Sequence, residues 1–99
     1  MFLVVLDYVA ELSVIDAALS AHGEWLDRHY REGLFLASGR REPRVGGVIL
    51  ARGPRESVEA AVATDPFAVQ KLARHTVVEF HPSRFGGALD DPLIRAALA

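Results

Sequence analysis

The hydrophobic positions of this chain switch between two periods, and the order of the switches lays out a small domain. Phe2-Leu-Val-Val-Leu6 is an unbroken apolar run that meets Asp7, the pattern of a strand covered on both faces. From Val14 the spacing becomes helical: Ile15, Ala18, Leu19, His22, Trp25, Leu26, His29 and Tyr30 share one stripe. Ser13, with Asp16 three residues on, is expected to cap this helix, and Gly33 to end it in the left-handed region. Leu34–Ser38 and Val45–Ala51 predict two further strands. Between them lies Gly39-Arg40-Arg41-Glu42-Pro43-Arg44, too short for a helix, so the two strands form an antiparallel hairpin. Gly46-Gly47 inside the third strand predicts a bulge or the close approach of another group.

Gly53-Pro54 opens a second helix with proline at the first helical position, and Val58, Ala61 and Val62 form its apolar face. Pro66 stops that helix near Thr64. Asp65 then caps a short helix from Pro66 to about Ala73, and Thr76–Phe80 is a fourth strand. The order β-α-β-β-α-β predicts an α+β fold with an antiparallel sheet in the ferredoxin-like arrangement. Two helices cover one face of such a sheet, yet the first strand is apolar on both sides. A second copy of the chain, packed sheet to sheet over roughly 1,200–2,000 Å², is the simplest cover for the other face. Asp91-Pro92 repeats the capping device and predicts a helix over Leu93–Leu98, in a tail (83–99) appended to the domain (1–82).

With 99 residues the chain is one domain with a thin core. The absence of cysteine excludes disulfide scaffolds, thiolate catalysis, cysteine zinc sites and iron–sulfur clusters. A net charge of -2 supplies no field for nucleic acid. Met1–Leu6 is too short for a signal peptide or a membrane span, so a cytoplasmic protein without membrane association is expected.

His22 lies on the apolar stripe between Leu19 and Leu26, where an imidazole is either a hydrogen-bonded core residue or a partly desolvated base. His29, seven residues on, is about 10 Å away along the axis. That is too far to share an ion, so no metal site is expected, and His29 is expected to interact with the last carbonyls of its helix. Asp65 is a helix cap, and would act in chemistry only by also orienting an imidazole. Ser38-Gly39 at a strand end offers a hydroxyl and an approachable N–H, or is plain turn chemistry. Arg40, Arg41 and Arg44 either bind an anion or, as is commoner for arginines at a hairpin tip, are solvated or paired across an interface. Neither a nucleophile elbow nor a phosphate-binding glycine loop is present.

His22-Gly-Glu-Trp-Leu26, then Gly33-Leu-Phe-Leu-Ala-Ser-Gly39, then Thr64-Asp65-Pro66-Phe67, in that order on this element pattern, resembles the YCII-related (YciI-like) domain family from Phe2 to about Phe80. The resemblance implies a ferredoxin-like fold that dimerises into an α+β barrel with a pocket on each subunit. It also implies a His-Asp active site, which maps onto His22 and Asp65, with Ser38 and Gly39 near the pocket wall. Dechlorination of a chlorinated hydroxyhydroquinone is one activity in the family. The chain departs from many relatives at Leu19-Ser20-Ala21, where they carry an arginine, and in a short segment before the third strand. The implied function is a small homodimeric enzyme without metal or organic cofactor, with His22 as general acid/base and Asp65 orienting it. Its substrate would be a small organic molecule, aromatic or phenolic in character, held near Ser38, Gly39 and Trp25. The alternatives are a binding or accessory subunit using the same pocket, a cofactor-free monooxygenase or lactone isomerase on a similar barrel, and a purely structural partner.

Overall fold

Seven inter-strand pairs tie Phe2–Tyr8 (β1) to Ala73–Glu79 (β4), from Phe2 opposite Glu79 to Tyr8 opposite Ala73. Gly46–Ala51 (β3) pairs antiparallel with the other edge of β1, and Phe35–Arg40 (β2) flanks β3. The sheet order is therefore β2-β3-β1-β4, and the apolar first strand is central as its composition predicts. This is the α+β, ferredoxin-like topology. The structure, a computed structural model, describes residues 1–99.

The long helix α1 (Leu12–Arg31) and α2 (Arg55–Ala63) lie on one face of the sheet, and α3 (Pro66–Val69) links α2 to β4. Phe2, Val4 and Leu6 point toward the helices and are buried with Phe35, Ile49 and Ala51 from neighbouring strands. Against them pack Ile15, Ala18 and Trp25 from α1, Val58, Ala61 and Val62 from α2, and Phe67 and Leu72. Alternation in β1 sends Leu3 and Val5 to the opposite face, where they are only half-buried.

Several boundaries differ from the sequence expectation. Ser13 does not cap α1: the cap position is Glu11, whose carbonyl accepts from Val14 and Ile15, and no side chain caps it. Pro54 is the cap of α2 rather than its first residue. The helix expected from Pro66 to about Ala73 ends at Val69, and Lys71 adopts φ 57°. The chain then turns Ala73 into β4, because pairing with all of β1 satisfies more backbone groups than another helical turn. The bulge lies in β2, between Phe35 and Ala37. Gly46 instead answers a close approach, since a Cβ there would sit 1.7 Å from the Leu6 carbonyl oxygen.

The tail folds back onto the outer sheet face. Asp91 caps α4 (Pro92–Leu98) through the Leu93 and Ile94 N–H groups, and Arg52 donates to the Ala97 carbonyl at 3.0 Å. Phe85, Leu89, Ile94 and Leu98 line a groove against Met1, Leu50 and Phe80. Part of the sheet face that the β-α-β-β-α-β core leaves bare is thus covered by the chain itself. Of the hairpin arginines, Arg41 pairs with Asp7 and Arg44 with Asp16, both within the chain.

Candidate functional site

The Asp65-Pro66-Phe67 junction does three things within three residues. Asp65 Oδ1 accepts from the Phe67 N–H at 3.0 Å, capping α3, and Pro66 occupies the first turn, where it has no N–H to lose. The Phe67 ring then stacks on His22, centroids 4.1 Å apart and 5° from parallel. The same Asp65 oxygen lies 2.8 Å from His22 Nδ1. Helix α1 is held in register for this contact by Trp25, one turn after His22. Its indole N–H donates to the Ala61 carbonyl at 3.0 Å and to Thr64 Oγ1 at 3.1 Å, which ties α1 to the end of α2 immediately before Asp65.

Asp65 is 0% exposed, and its other oxygen is not idle. Oδ2 lies 2.7 Å from Nε2 of His75, whose side chain is only 6% exposed. The carboxylate therefore sits between two imidazoles, one from α1 and one from β4. Burial by itself pushes the Asp65 carboxyl up. The hydrogen bonds from His22, His75 and the Phe67 N–H, with the charge of His22, outweigh it and hold the carboxyl below its ordinary value. An ionised carboxylate only accepts, so both histidines must present an N–H to it: Nδ1–H from His22 and Nε2–H from His75. In neutral His22 the lone pair is then on Nε2. No buried side-chain nitrogen or oxygen lacks a partner, so Nε2, which has no bonding partner, touches accessible space.

That space is a cleft of about 190 Å³ lined by His22, Leu19, Leu26, Ser38, Gly39 and Phe67, with Leu6, Tyr8, Arg40, Gly47, Val48 and Ile49 completing its wall. A cavity of about 150 Å³ accommodates a benzene ring, so one aromatic ring fits. The groove under the tail is larger, about 520 Å³, but its only charged residue is Arg84, and it offers no base. Of these two, only the smaller cleft presents an imidazole.

The sequence-predicted residues fall into place unevenly. His22 and Asp65 are in contact, and Ser38 and Gly39 line the cleft. The Ser38 hydroxyl is hydrogen-bonded to the Tyr30 hydroxyl. Trp25 is 0% exposed and does not line the cleft, so the expected substrate contact gives way to a packing and anchoring role. His29 bonds Glu32 at 3.1 Å and packs on Trp25 and Phe35, not on the last carbonyls of α1. Sequence reasoning missed His75. Its signal is a polar residue at an inward position, between Ala73 and Val77 on β4 and opposite Leu6 on β1. No group of three His, Asp or Glu side chains is arranged to hold a metal ion, and no helix is long and apolar enough to cross a membrane.

Residues 1–81 match the YCII-related domain family. Among solved structures the chain is similar to 5-chloro-2-hydroxyhydroquinone dehydrochlorinase from Burkholderia phenoliruptrix, determined in complex with 2,5-dihydroxybenzoquinone. The TM-score is 0.66 at 16% identity, over 81% of this chain and 93% of that one. At that identity the likeness is one of fold. No protein of curated function matches the chain.

Proposed function

Since the chain belongs to the YCII-related domain family, we propose that the His22 cleft is the active site of a small-molecule enzyme. It performs acid/base chemistry on a substrate about one aromatic ring in size, of hydroxylated or quinoid type. The observation that carries this reading is the contact between Asp65, fully buried, and His22 Nδ1, which leaves Nε2 as the one free base on an otherwise mostly apolar wall. His22 Nε2 takes a proton from a substrate O–H or C–H. The imidazolium so formed lies against the Asp65 carboxylate, which offsets its charge, and the same N–H returns the proton in a later step. Phe67 keeps the ring plane fixed, so the proton moves along one direction. The dehydrochlorinase of similar fold, with a quinoid molecule bound, supports the substrate class.

Titrating 2,5-dihydroxybenzoquinone into the isotopically labelled protein tests this. The His22 imidazole and the Ser38, Gly39 and Gly47 N–H signals are expected to shift together. Shifts confined to Met1, Phe80 and Leu98, in the groove under the tail, would place binding elsewhere and overturn the reading.

The enzyme is proposed to work as a homodimer built on the part of the outer sheet face that the tail leaves open. Val5 and Val48 stand half-buried there and Val78 is exposed, an apolar strip that a second copy would cover. Sedimentation equilibrium at micromolar concentration should return twice the chain mass of 10.8 kDa. A single-chain mass would contradict the dimer.

A further inference from the structure

Every polar demand at Asp65 is met by a named group, and the division is uneven. Oδ1 takes two donors, His22 Nδ1–H and the Phe67 N–H, whereas Oδ2 takes one, His75 Nε2–H. His75 is thus the only donor to Oδ2, and together with the Phe67 N–H on Oδ1 it holds the carboxylate plane in its aim at His22. We propose that His75 is a third member of the site, a positioning residue that fixes the Asp65 carboxylate and, through it, the tautomer and charge of His22. This rests on the reading of the His22 cleft as the active site and extends that site to β4.

The consequence is a shared charge. With both imidazoles neutral, each gives its one N–H to Asp65 and the trio carries a single negative charge. One added proton neutralises it, whether it lands on His22 Nε2 or on His75 Nδ1. A second proton leaves a net positive charge around a carboxylate that water does not reach. The two histidines therefore share one carboxylate. Arg40 of β2 lines the same cleft as His22, and the other charges nearby are at the surface. From α1, Glu24, Asp27 and Arg28 are exposed, as are Arg55, Glu56 and Glu59 of α2 and Arg74 and Glu79 of β4. Tyr8, from β1, meets the edge of the Phe67 ring at 5.9 Å between centroids. His29 is taken up by Glu32.

Glutamine separates the two roles of His75, because its amide can donate to Oδ2 but cannot become a cation. Imidazole nitrogen spectra of the full-length protein, recorded without any ligand and with the imidazoles neutral, give the tautomer of His22 directly. In the parent chain His22 is expected to hold its proton on Nδ1, facing Asp65. In His75→Gln it should keep that tautomer. In His75→Leu, where Oδ2 loses its donor, a mixture of tautomers is expected. A His22 proton that stays on Nδ1 in His75→Leu as it does in the parent chain would overturn the proposal and leave His75 as a packing residue. Because no substrate is involved, that result would leave the acid/base role of His22 standing. Conversely, a cleft that binds no quinoid ligand would leave the positioning role of His75 intact.

Discussion

Replacing Asp65 by Ala is expected to remove about 3–5 kcal/mol of folding stability, a large share of the ~5–15 kcal/mol that holds a domain together. The loss has three parts. The cap of α3, the Phe67 N–H bond, goes, and the N–H groups of His22 and of His75 lose their acceptor, each a buried or half-buried donor left without a partner. Asp65→Asn keeps an acceptor at the cap and should cost only about 1–2 kcal/mol. The two variants also differ from the parent in acid. The folded-state carboxyl lies below its ordinary value of 3.8, so ionised Asp65 contributes stability in full above that value. The contribution is lost as pH falls from there through the folded-state value. Urea midpoints measured across this range should show the gap between parent and Asp65→Asn closing toward low pH. A gap that stays constant, or widens, would mean that Asp65 is not held ionised by its partners.

The elements whose period is long were legible from the chain alone. The stripe from Ile15 to Tyr30 specifies α1 because a helix needs only local repetition, and the run of β1 declares a central strand because both its faces are apolar. What escaped was set by contacts across the sheet. The sequence around Phe67 to Ala73 suits a helix, but Ala73 pairs with Tyr8, and that long-range ladder shortens α3 and starts β4 early. His75 was missed for the same reason. A strand begun at Thr76 leaves it outside, and its inward direction appears only once β4 is placed in register with β1. Trp25 misled in the opposite way. Beside His22 on one helical face it suggests a cleft wall, but its indole N–H finds the Ala61 carbonyl, 36 residues away, and turns the ring into the core. His22 and Asp65 stood out singly by position, but only the family resemblance paired them. Nothing in their spacing brings residues 43 apart into contact.

If His22 and Asp65 act as one unit, their removal should not add. His22→Ala is expected to lower kcat on a hydroxylated aromatic substrate by about 10²–10⁴-fold, the usual worth of a positioned acid/base group. Asp65→Asn should bring a comparable loss despite its mild effect on stability, because the amide no longer holds Nδ1–H in place or offsets the imidazolium. The double variant should be little slower than either single one. Asp65→Asn is the decisive arm, since asparagine caps a helix about as well as aspartate and separates capping from catalysis. The account predicts that kcat of Asp65→Asn collapses toward that of His22→Ala at neutral pH, where the variant is still folded. Turnover by Asp65→Asn at the parent rate would contradict it.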